Sequence, residues 1–165
     1  MNYLPVYLND HLAGSVGALE MLDGLIESHE DQPLEPMLTE LRKDIESDQN
    51  ELKELMKHVG IDQSAIRKAG AWIMEKLSRT KLGLGGSGDP NLALLQSLET
   101  LALGITGKRS LWRTLAAAGE DSRQLQGIDF ARLEARAVDQ IQRVESQGLE
   151  IARQILRPEL NTGRP

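Results

Sequence analysis

Residues 34–59 read LEPMLTELRKDIESDQNELKELMKHV, and the spacing of their apolar positions decides the fold. Leu34, Leu38, Leu41, Ile45, Leu52, Leu55 and Val59 recur at alternating intervals of four and three. That alternation gathers them on one face of an α-helix, whereas a strand would send them to opposite faces. Asp48 falls on the same seam, so the interruption in an otherwise apolar stripe is a carboxylate. Pro36 sits in the first turn, where a missing N–H does no harm, and Gly60 follows the last apolar position as a C-terminal cap would.

The pattern repeats outward from this stretch. Leu8, Leu12, Ser15, Leu19, Leu22 and Ile26 predict a first helix over residues 3–29. Leu95, Leu98, Ala102, Ile105, Arg109, Trp112 and Ala116 predict a long helix over 90–118, and Leu133, Ala137, Ile141, Val144, Gly148, Ile151 and Ile155 another over 129–157. Between the second and third long helices, Ile66, Ala69, Ile73 and Leu77 predict a shorter amphipathic helix over 63–81, followed by the flexible run GLGGSGDP from Gly83 to Pro90. Asp62, Asp89 and Asp129 stand where N-caps belong, and Gly119, like Gly60, where a C-cap belongs. The prolines at 5, 33, 36, 90, 158 and 165 leave 37–89 and 91–157 free of helix breakers. The polar tail PELNTGRP, residues 158–165, is expected to be flexible, outside a single bundle domain of residues 1–157.

Composition narrows the function classes. The 165 residues carry 19 Lys plus Arg against 25 Asp plus Glu, a net charge of −6, which disfavours nucleic acid and anionic membrane surfaces as partners. Absence of cysteine removes disulfides, thiolate nucleophiles and Cys-ligated metals, and three histidines are left as imidazole ligands. The start, MNYLPVYLND, lacks the basic and apolar regions of a signal peptide, and no stretch reaches the ~20 continuous apolar residues of a bilayer span. The expectation is a cytoplasmic protein.

Connection lengths set the topology. A few residues around Asp31–Pro33 join the first pair of long helices and about ten around Glu120–Ile128 join the last pair, so each pair forms an antiparallel hairpin. The middle connection, residues 60–89, is long enough to travel the length of a bundle and make the second and third long helices parallel. An all-α, up-down four-helix bundle with one long crossover resembles the ferritin-like proteins. The resemblance implies a di-iron site built from Glu on two helices and Glu-x-x-His on the other two. Here His11, His29 and His58 all lie on the first two helices and no Glu-x-x-His occurs; Glu54 and His58 are one residue too far apart. Glu20, Glu51, Glu99 and Glu145 fall off the apolar seams, as solvated charges would. No metal and no cofactor is expected, and the resemblance implies fold rather than activity.

Polar residues occupy the middle of the seams instead. Ser15 and Asp48 lie nearly equidistant from a turn near Gln32, as do Arg109 and Gln140 from a turn near Gln124. With His11 one turn from Ser15, the predicted central layer is His11, Ser15, Asp48, Arg109 and Gln140. It reads as a buried Asp48–Arg109 ion pair that fixes helix register. Two other readings stay open: Leu94, Leu101, Lys108 and Leu115 form a second stripe that would leave Arg109 at the boundary, or the layer binds a small anion against Arg109.

Other motifs carry little. GLGGSG follows a helix rather than a strand, and GITGKRS, residues 104–110, has the wrong glycine spacing for a phosphate loop. Ser15, His11 and Asp48 have no evident oxyanion donors, so no catalytic residue is assigned. Ala13, Gly14, Gly17, Ala18 and Gly24 crowd the first helix, which points to close approach by another helix, in the same chain or a second copy. The leading expectation is a non-catalytic bundle acting through a protein partner or as a homo-oligomer. The alternatives are a diverged metal site using His11, Asp48, Glu51 and Glu99, and the small-anion layer.

Overall fold

A computed structural model describes residues 3–61 and 88–162, which form four long helices: α1 (Tyr3–Ser28), α2 (Glu35–His58), α3 (Pro90–Ala118) and α4 (Phe130–Thr162). The expected short helix over 63–81 and the cap at Asp62 lie outside the described residues. No strand is present among the described residues.

Local chemistry accounts for the helix ends. Asp31 turns the chain between α1 and α2 at φ 61°, and its N–H donates to Glu35 Oε2 at 2.7 Å. Gly60 closes α2 in the left-handed region at φ 72°, with the N–H of Ile61 on Met56 O at 2.8 Å and that of Gly60 on Lys57 O, a Schellman arrangement. Asp89 Oδ1 accepts from the N–H groups of Asn91 and Leu92 just ahead of Pro90, and Asp129 Oδ1 accepts from Arg132 N–H. Gly119 stands at the end of α3 for a different reason. A Cβ there would lie 2.7 Å from Leu125 Cδ1 and 2.8 Å from Leu115 O, so the turn packs where a side chain would be. Helix α4 continues through the exposed Pro158 to Thr162, beyond the expected stop at 157; near an exposed helix end the lost N–H leaves only a solvated carbonyl.

Two apolar clusters fill the bundle. One gathers Leu22 and Leu25 of α1, Leu38, Leu41 and Ile45 of α2, Leu94 to Ile105 of α3, and Ala137, Val144 and Ile151 of α4. The other joins Leu8 and Leu12 to Leu52, Leu55, Met56, Leu111, Trp112, Leu115 and Leu133. The first half of α2 therefore shares one end with the first half of α3, and the two helices run parallel while α1 and α4 run against them. A fully buried leucine such as Leu8, Leu12 or Leu38 contributes roughly 1.5–3 kcal/mol over its exposed state, so both clusters hold the four helices together. Helices α2 and α4 are also tied by an antiparallel ladder of ions: Glu51 to Arg132, Asp48 to Arg136, and Asp44 to Arg143.

Candidate functional site

Between the two apolar clusters lies a polar layer centred on Asp48, which is 1% exposed. Its Oδ2 accepts from Lys108 Nζ and, at 2.9 Å, from Gln140 Nε2, while Lys108 also donates to Gln140 Oε1. Arg136 Nη2 stands 2.9 Å from Asp48 Oδ1; the approach is an ion pair whose angle falls outside that of a hydrogen bond. On the α1 side, Gln49 Nε2 donates to Ser15 Oγ at 2.9 Å, and Ser15 donates to Leu12 O at 2.6 Å. Burial holds the Lys108 ammonium below its ordinary pKa, against the opposing pull of Asp48.

Of the predicted layer, Asp48 and Gln140 meet directly, Ser15 accepts from Gln49, the chain neighbour of Asp48, and His11 sits nearby on α1. Arg109 does not belong to it. Its guanidinium Nε pairs with Glu134 Oε1 at 3.2 Å with the side chain 40% exposed, and Lys108 supplies the buried cation instead. The cause is helical geometry. From Leu101 onward the buried residues of α3 are Leu101, Ile105, Leu111, Trp112 and Leu115. At 3.6 residues per turn their mean direction lies within roughly 10° of position 108 and roughly 90° from position 109.

Above the layer, on the side of α1, α2 and α3, opens a cavity of about 220 Å³. Asp48, Lys108 and Trp112 line it together with His11, Ser15 and Gln49, and Ile45, Leu52 and Ile105 make its walls apolar. Gly14 of α1 and Gly104 of α3 lie at its exposed rim. Among the described residues nothing stands within 4 Å of where a Cβ on either would be. Trp112 is 1% exposed, and its indole N–H is buried without a hydrogen-bond partner. His11 meets Tyr7 edge-on, with ring centroids 4.7 Å apart, and burial lowers its pKa despite Asp10 beside it.

The alternative metal ligands are not brought together. Glu51 binds Arg132, Glu99 lies on the exposed side of α3 beside α4, and Asp48 is already neutralised by Lys108 and Arg136. Among the described residues no group of three or more His, Asp or Glu is placed to hold a metal ion. A ferritin-like di-iron centre therefore does not fit these donors, because an ammonium stands against the carboxylate that would ligate the metal. Nor do the positions form a Ser–His–Asp relay, since Ser15 gives its proton to Leu12 O and Asp48 faces cations. Among the described residues no helix is long and apolar enough to cross a membrane.

Fold and site together define a four-helix bundle with a cleft over a buried charged layer. Compared with known proteins, the chain matches no protein-family model, no curated protein and no solved structure.

Proposed function

We propose that this chain is a non-catalytic binding protein, a bundle ferritin-like in the way its hairpins are joined, that holds a small molecule in the cleft between α1, α2 and α3. The observation that carries the reading is the pair Gly14 and Gly104. Each sits inside a long helix, where glycine costs roughly 0.5–1 kcal/mol relative to alanine. Among the described residues nothing lies within 4 Å of a Cβ at either glycine, and both border the space above Lys108. A cleft kept open at a cost in stability, with a buried cation and apolar walls, is the form of a ligand site rather than of a packing defect.

Titrating ¹⁵N-labelled protein with hexan-1-ol or sodium hexanoate tests this. The amide shifts should move saturably and cluster at Gly14, Ser15, Gly104, Ile105 and Lys108. Shifts scattered over the surface, or none with either probe, would refute the cleft as a site.

Assembly with a second copy is a further reading, favoured by the outer groove between α3 and α4. Leu103 is 74% exposed and Leu149 58% exposed there, beside Ala102, Gly148 and Ala152. Light scattering on the parent and on Leu103→Glu with Leu149→Glu decides it. A dimer mass that falls to the monomer in the double variant supports assembly through this groove, and a monomer in both excludes it.

A further inference from the structure

Which chemistry the cleft takes follows from the polar groups that reach it and what each already does. The acceptors next to Lys108 are occupied. Asp48 Oδ2 receives Lys108 and Gln140, Oδ1 faces Arg136, Ser15 Oγ receives Gln49, and Gln49 Oε1 receives Lys53. What remains are donors. An ammonium has three N–H groups, and two of those on Lys108 go to Asp48 and Gln140. Trp112, 1% exposed, lines this cleft and also the groove beside Gln126 and Ile128, and among the described residues its indole N–H has no acceptor.

Charge points the same way. Of the two cations on Asp48, Arg136 also has Glu51 at 4.0 Å, whereas Lys108 has Asp48 as its one ion-pair partner among the described residues. Burial lowers the pKa of Lys108 in spite of Asp48 and Asp44. Asp10 adds a carboxylate only at the exposed rim, where water screens it. Below the rim, Ile45, Leu52, Ile105 and Leu111 offer hydrocarbon. The cavity of about 220 Å³ exceeds the ~150 Å³ that suffices to enclose benzene.

Resting on the reading of the cleft as a binding site, we propose that its ligand is a small amphipathic carboxylate. The head accepts from the remaining N–H of Lys108, and the hydrocarbon lies against Ile45, Leu52, Ile105 and Leu111. The ligand's negative charge gives Lys108 a counter-charge beside the Asp48 that it shares with Arg136, and its oxygens accept the N–H that Lys108 has left.

Calorimetry on the full chain with hexanoate, acetate and hexan-1-ol tests each half of the ligand. Hexanoate should bind saturably, at least about tenfold more tightly than hexan-1-ol, because a charged partner for a buried ammonium is lost with the alcohol. Acetate should bind at least about tenfold more weakly than hexanoate, because each buried methylene contributes. Lys108→Met should abolish the preference for hexanoate over hexan-1-ol.

Equal affinity for hexanoate and hexan-1-ol in the parent would overturn the anionic head and leave the cleft standing as a site. Acetate as tight as hexanoate would overturn the apolar body. Failure of all three probes would remove both the ligand class and the binding role. If Lys108→Met does not fold, Gly104→Leu closes the cleft without touching the lysine and should lose hexanoate and hexan-1-ol alike; retained hexanoate binding would place the anion elsewhere and overturn the proposal.

Discussion

Replacing Asp48 by alanine should be among the most damaging single changes in this protein, and the damage can be apportioned from its contacts. Asp48 is 1% exposed and, among the described residues, is the only carboxylate paired with Lys108, whose side chain is 15% exposed. Without it, a largely buried ammonium loses its counter-charge and the partly buried Arg136 keeps only Glu51, at 4.0 Å, so the expected loss is about 3–5 kcal/mol. Lys108→Met should cost less, about 1.5–3 kcal/mol, because Arg136 and Gln140 still hold the carboxylate. The double change Asp48→Leu with Lys108→Met removes both charges but strands Gln140, itself 1% exposed, which loses a donor to its Oε1 and an acceptor for its Nε2. A residual cost of about 1–3 kcal/mol should persist in the double variant and disappear when Gln140→Leu is added. Arg109→Met, by contrast, breaks a half-exposed pair with Glu134 and should cost less than about 1 kcal/mol. Urea unfolding of the five variants, followed by circular dichroism, measures every step. An Asp48→Ala loss below about 1 kcal/mol, or an Arg109→Met loss as large as that of Asp48→Ala, would show that the charged layer is not arranged around Lys108.

Two further outcomes follow from the cleft. Gly14→Ala and Gly104→Ala place a methyl group in open space at its rim, so each should raise unfolding stability by roughly 0.5–1 kcal/mol in urea while weakening hexanoate uptake; destabilisation by either would mean that the glycines serve packing. His11 has its pKa lowered from 6.5 chiefly by burial, so the unfolded chain binds the additional proton in the window below 6.5. Stability should therefore be fully present above that value and fall as the solution is acidified through the folded-state pKa. His11→Gln should flatten that part of a stability–pH profile, and an unchanged slope would remove His11 as its cause.

The α2 seam carried most of the architecture because its information is periodic. Leu38, Leu41, Ile45, Leu52 and Leu55 repeat often enough that one misassigned residue does not move the face, and all five are buried. The bundle's parallel and antiparallel relations followed from connection lengths, and both clusters of buried residues agree with them. On α3 the apolar residues occupy two adjoining stripes, 94/101/108/115 and 95/98/105/112, so a single polar position on either is poorly determined by spacing. The buried cation consequently moved from Arg109 to Lys108, one residue along the chain and about 100° around the helix. The partners on α4 were legible by another route. Asp44, Asp48 and Glu51 stand at helical spacing on α2, as Arg132, Arg136 and Arg143 do on α4, and antiparallel pairing of the two sets reproduces the ion ladder. The cleft itself left only a faint trace, since a helical glycine reads identically whether it admits a neighbouring helix or leaves room for a ligand. Geometry separates the two cases: at Gly119 a Cβ would collide with Leu125, whereas at Gly14 and Gly104 it would meet nothing. Gly14 and Gly104 border the cleft that Lys108 lines, whereas Gly107, equally free of described neighbours, does not, so what sets the first two apart is their place above the charged layer.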